Sequence, residues 1–157
     1  MSAKSLWALD KGSNKVATHH GTGQHLVHKV GDVHTQRFSV AIADINAGLT
    51  LLAALAGFKY RLVDAFAIAI GGAVEAVTTV DILGTQSSGV KLVAFGQAQL
   101  TQSAVLRAGA SGGTVLADGA SFVGCDANTA ITIGKTGSSV TTATHVDVQL
   151  TYAIDEA

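Results

Sequence analysis

No proline occurs in this sequence, so no turn is preset by a ring-locked φ, and the 18 glycines must supply most chain reversals. A single cysteine, Cys125, excludes an internal disulfide framework and fits assembly in a reducing place. Charge is scarce at 13% of residues, against the usual quarter or so, and the formal net charge is -1. That balance offers no electrostatic pull toward nucleic acid or an anionic membrane. Aromatics are only 5%. The longest apolar stretch, INAGLTLLAALAGF, ends at Lys59 after about 14 residues, too short to span a bilayer. The opening MSAKSLWALDKG lacks the continuous apolar run of a signal peptide. So few charges on a chain that is 48% hydrophobic imply surface hidden against partners.

What is present is alternation. Composition shifts near residue 36: residues 1–36 read as a polar, extended N-terminal arm, and residues 37–157 as a single apolar, glycine-punctuated domain. In THVDVQLTYAID, Val146, Val148, Leu150, Tyr152 and Ile154 share one face, and His145, Asp147, Gln149, Thr151 and Ala153 the other. FKYRLVDAFAIAI sets Phe58, Tyr60, Leu62, Phe66, Ile68 and Ile70 against a face containing Ala65, Ala67 and Ala69. Asp64 breaks the pattern, which predicts a bend, a bulge or a sheet edge there. RFSVAIA, AVTTVDILG, VKLVAFGQAQL, SAVLRAG and NTAITIG also read as strands. AGLTLLAALAGF fits either a short helix, through Leu49, Leu52 and Leu55, or a strand with an irregular middle; the strand is preferred. Turns are expected at Asn46-Ala47-Gly48, Gly71-Gly72, Ser87-Ser88-Gly89, Gly112-Gly113, Asp118-Gly119 and Lys135-Thr136-Gly137-Ser138. The expected fold is all-β: a β-sandwich or jelly roll of about eight antiparallel strands carrying the arm.

Two motifs mimic catalytic signatures and lack their context. Gly109-Ala110-Ser111-Gly112-Gly113 fits G-x-S-x-G, with Asp118 and His145 following in hydrolase order. A nucleophile elbow needs a helix behind the serine, whereas GGTVLADGASF reads as turn and short strand. Gly134-Lys135-Thr136 resembles the end of a P-loop, but Thr129 stands where the first glycine belongs, and no helix follows to hold phosphates. No catalytic residue, cofactor site or metal site is assigned, and the chain is expected not to be an enzyme.

Five of the six histidines, His19, His20, His25, His28 and His34, sit in the arm. Structural zinc needs four N or S ligands at short, stiff spacings, and no cysteine partners these residues. On a strand His25 and His28 would face opposite ways. The spacing leaves open a site shared between subunits. The arm also holds Leu6, Trp7 and Leu9, a small apolar knot. Burying one tryptophan gains less than ordering the segment around it costs. The knot therefore needs help, for instance backbone hydrogen bonds made to a neighbour's sheet. Leu6, Trp7, Leu9 and the five arm histidines are accordingly the candidate partner-binding residues.

Several segments together, ADINAGLTLLAALAGFKYRLVDAFAIAIGG, TTVDILGT, LTQSAVLRAG, TVLADGASF and DANTAITIGKTGSSVTTATHVDVQLTYAID, resemble small structural proteins of tailed-bacteriophage heads, among them capsid decoration (cement) proteins. The resemblance spans roughly residues 43–155, leaves the arm outside, and carries over no functional residue. It implies a β-sandwich or jelly-roll module, commonly a homotrimer, on the outside of an assembled capsid. The implied partners are copies of itself and the major capsid protein, in a virion assembled in the host cytoplasm. The alternative is a head-fibre base, tail adaptor or host-surface binding module. An adhesin should present long, aromatic-rich loops, and the loops here are short and built from Gly, Ser and Thr.

Overall fold

The computed structural model describes residues 16–21, 24–29, 31–87, 90–107, 113–114 and 124–157. In chain order these form β1 (Val16–Gly21), β2 (Gln24–Lys29), β3 (Val33–Ala41), α1 (Ile42–Ala47), β4 (Leu49–Leu52), β5 (Phe58–Ile70) and β6 (Val74–Leu83). They continue as β7 (Val93–Gly96), β8 (Leu106–Arg107), β9 (Gly113–Thr114), β10 (Ile131–Thr142) and β11 (His145–Glu156). The protein is mostly β, and every strand pair is antiparallel. A five-stranded sheet has the order β4-β10-β6-β7-β9, a four-stranded sheet the order β3-β11-β5-β8, and β1 and β2 pair only with each other. The composition shift at residue 36 falls inside β3, which pairs with β11 without interruption from Val33 to Ala41.

One hydrophobic cluster joins the two larger sheets. The four-stranded sheet contributes Val146, Val148, Leu150, Tyr152 and Ile154, the apolar face of the β11 alternation. The five-stranded sheet contributes Val80, Ile82, Phe95, Ile131 and Ile133. Each fully buried Val, Ile or Phe side chain is worth about 1.5–3 kcal/mol against exposure, so this cluster dominates the folding energy.

β5 shows how one extra residue redirects a strand. Thr151 pairs with Asp64 but Tyr152 pairs with Leu62, so Val63 is unmatched and forms the bulge that Asp64 predicted. Side chains alternate with period two, so an inserted residue exchanges the faces beyond it. Tyr60 and Leu62 are buried as expected. Past the bulge the expectation reverses: Ala65, Ala67 and Ala69 enter the core, while Phe66, Ile68 and Ile70 turn to the outer face. The alanine stripe is thus consumed inside the protomer.

Further expectations are corrected by the structure. RFSVAIA is a strand only to Ala41, after which α1 runs to a glycine end at Gly48, φ 83. Asn46, expected in a turn, sits in α1 and pairs its side chain with β10: Val140 N–H donates to Oδ1 (2.7 Å) and Nδ2 donates to the Val140 carbonyl (3.2 Å). Its amide therefore imitates a neighbouring strand. The turn expected at Lys135-Thr136-Gly137-Ser138 is instead an irregular middle of β10, where the register with β6 shifts on both sides of Gly137. Gly137 has φ 92, and an added Cβ would lie 2.6 Å from Thr78 Oγ1, so glycine serves a bulge rather than a reversal. Among the described residues VKLVAFGQAQL and SAVLRAG form strand over Val93–Gly96 and Leu106–Arg107. Gly71-Gly72 does turn the chain, between β5 and β6. The strand reading of AGLTLLAALAGF holds over Leu49–Leu52.

Candidate interaction surface

The outer face of the four-stranded sheet carries its charge in cross-strand pairs. Arg37 on β3 binds Asp147 on β11. Arg61 on β5 binds Asp155 on β11, Nε to Oδ2 2.7 Å. Arg107 on β8 binds Asp64 on β5, Nη2 to Oδ2 2.6 Å. Each pair bridges neighbouring strands, so together they stitch all four in sheet order. In each pair the arginine side chain is the exposed member and the aspartate the covered one: 68% against 8%, 57% against 29%, and 62% against 18%. The sheet therefore presents guanidinium groups outward with their carboxylates beneath.

Asp147 is the most enclosed of these carboxylates. Burial opposes its charge, but hydrogen bonds from Arg37 and Ser39, with the attraction of Arg37 and His145, outweigh that cost and hold the carboxyl below its usual range. The neighbouring His145 has a tautomer set by its surroundings. Thr144 Oγ1 spends its one hydrogen on the Ile70 carbonyl (2.9 Å), so toward His145 Nδ1 (3.1 Å) it accepts. Nδ1 is then the donor to Thr144, and Nε2 faces Asp147 Oδ1, 3.7 Å away, an ion pair whenever the ring is protonated.

Beside Arg37 lies a shallow depression of about 360 Å³, lined by Phe66, Ile68, Val105, Asp147 and Gln149. The Arg107 guanidinium sits over the Phe66 ring, 5.4 Å from its centroid. Aliphatic and aromatic side chains with guanidinium groups at the margin make a contact surface of the kind proteins use for other proteins. Among the described residues the lining of the depression holds no nucleophile with an adjacent base.

The five-stranded sheet treats its charge differently. Asp81 on β6 is only 2% exposed. Thr136 Oγ1 donates to its Oδ2 (2.7 Å), and Lys91 Nζ lies 3.1 Å from Oδ1, close enough for an ion pair though off the hydrogen-bonding direction. Lys91 also donates to Thr79 Oγ1 (3.0 Å) and Thr136 Oγ1 (2.6 Å). The cluster pins the segment before β7 across β6 and β10. Cys125 is buried, and burial pushes its thiol up to about 11, which keeps it protonated and unreactive at neutral pH.

The sequence-derived candidates are scattered rather than gathered. His34 lies on β3 with its ring centroid 5.9 Å from that of Tyr152, which meets Tyr60 edge-on at 5.6 Å. His19 and His20 fall on β1, His25 and His28 on β2. His20 is paired with His25, His19 with Leu26 and His28 with Ala17, so the register sets only one histidine opposite another. Leu6, Trp7, Leu9, Ser111 and Asp118 lie outside the described residues. Gly134-Lys135-Thr136 lies within β10, with no helix behind it. Among the described residues no group of three His, Cys, Asp or Glu is placed to hold a metal, and no helix is long and apolar enough to cross a membrane. The Arg–Asp pairs were not found by sequence reasoning; Asp147 was legible as a polar-face residue, but its partner comes from a strand more than a hundred positions away.

No protein-family model, curated protein or solved structure gives a significant match to this chain.

Proposed function

We propose that this chain is a virion structural protein: a bacteriophage capsid decoration, or cement, protein that seats on the outside of the assembled head. In this reading the two sheets form a β-sandwich of jelly-roll kind, the protein assembles as a homotrimer in the host cytoplasm, and its outer partner is the major capsid protein. The observation that carries the reading is the open face of the four-stranded sheet, where Phe66, Ile68 and Val105 lie together beside the outward guanidinium of Arg37, with that of Arg107 over Phe66. The low charge of the whole chain and the sequence resemblance support it.

Such a protein acts by linkage. It binds the assembled shell better than free shell subunits, and that preference stabilises the shell by mass action. Many copies on one lattice multiply a modest affinity at each site. Shells carrying the protein should resist heat and denaturant better than shells lacking it, while the shell itself still assembles. Equal resistance with and without the protein would remove the mechanism, and electron cryomicroscopy of the particle would show whether density for the two sheets lies on the outer surface.

A further inference from the structure

β3 is an edge strand of unusual regularity. Among the described residues nothing pairs with its side away from β11. The amide of Ile42 donates to the carbonyl of Thr144, which fixes the phase of the ladder. Continuing that register, His34, Gln36, Phe38 and Val40 exchange backbone hydrogen bonds with β11. Val33, Thr35, Arg37, Ser39 and Ala41 then point their N–H and C=O groups away from β11, toward the open edge. Edge strands are normally blunted by a bulge, a proline, short length or several charges. β3 has nine residues, unbroken register, no proline and one charge, Arg37, which is already engaged with Asp147. An edge of that kind is a pairing template.

The same chain holds a second unsatisfied element. Among the described residues β1 and β2 pair with each other and join neither larger sheet. A lone two-stranded hairpin is marginal in water and gains stability by extending a sheet. It ends at Lys29, just before β3, yet does not pair with the outer edge of its own β3. We propose that the β1–β2 hairpin of one copy adds to the open β3 edge of a second copy, extending the four-stranded sheet across the subunit boundary. This deepens the self-association part of the reading above and rests on it, but needs no capsid. The contact is head to tail, each copy giving a hairpin and receiving one, and it makes a closed ring, such as a trimer, where the rotation between copies closes. Pairing of β3 with β3 across a twofold is disfavoured, because Arg37 is the middle residue of the strand and would meet the partner's Arg37.

Complementation between full-length variants tests this. In T35P/S39P, proline removes two outward N–H groups while sparing the bonds to β11, so the acceptor edge is blocked. In T18P/V27P the prolines fall on opposed hairpin residues, so either the hairpin or its outer edges are lost. Light scattering should show wild type as a closed oligomer of the 15.8 kDa chain and each variant as a monomer with unchanged near-ultraviolet circular dichroism. Mixed one to one, the variants should form a complex of twice the monomer mass and stop there, since only one hairpin and one edge remain usable. A monomeric wild type, a T35P/S39P variant that still assembles, or folded monomeric variants that do not combine would each overturn the proposal. If T35P/S39P loses its fold, the single S39P variant carries the same comparison. An oligomer that behaves as expected but leaves shells no more resistant would instead count against the decoration reading alone.

Discussion

The outer faces of the two sheets solve the same problem in opposite ways. On the five-stranded sheet, Asp81 is covered by Lys91 and Thr136, and the chain closes over its own charge. On the four-stranded sheet, Asp64, Asp147 and Asp155 are paired with arginines that themselves stand in solvent, and Phe66, Ile68 and Val105 lie beside Arg37. One face is finished by the protomer. The other is left in the state in which protein surfaces receive partners. The closed face draws its cation, Lys91, from the segment before β7 that folds over the sheet, whereas the open face takes its arginines from the strands themselves.

The largest effect should come from opening the closed face. Lys91→Ala leaves the buried Asp81 charge without its cation, and should cost about 3 kcal/mol in chemical denaturation. A loss near zero would mean that the Asp81 cluster is more solvated than its 2% exposure indicates. Next comes the buried side of β5. Ala67→Leu forces three extra carbons against Val148 and Leu106, its partners in register on the neighbouring strands, at about 1–3 kcal/mol. Ala67 lies beside Ile68, so the same experiment on adjacent positions separates core from contact surface.

Acid should probe the open face. The folded-state pKa of Asp147 is depressed, so its stabilising share is complete above the unfolded value of about 3.9 and is lost as pH falls through the folded one. Asp147→Asn cannot titrate, and its stability should therefore vary less with pH below about 4 than that of wild type. Parallel curves would show that Arg37 contributes nothing through this carboxylate. The smallest effect on folding belongs to Ile68→Ser, about 1 kcal/mol for a partly buried outer position. If the open face is the docking surface, the same substitution should lower binding to shells, measured by cosedimentation.

Much of the architecture was legible. Period-two runs placed β5, β6 and β11, and Asp64 announced a bulge because a carboxylate on an apolar face needs the strand to turn it back toward water. The consequence of the bulge was not legible. Nothing local says on which side of Asp64 the extra residue lies, so the orientation of Phe66, Ile68 and Ile70 was expected the wrong way round. The role of Gly137 was similarly ambiguous, since a positive φ serves a turn and a strand irregularity equally well. Asn46 reads as a turn residue because its amide can satisfy local backbone, and here it satisfies a distant one, at Val140.

Sequence alone determined the class of this protein: mostly β, low in charge, turned by glycine, with an alternating hydrophobic pattern that fixes which side of β11 is buried. Tertiary structure alone decided which apolar residues remain outside, which arginine covers which aspartate, and which strand is left at an edge. The reason is physical. Alternation is written in consecutive side chains, whereas register, bulges and sheet order arise from hydrogen bonds between segments far apart in the chain, and those exist only once the strands have met.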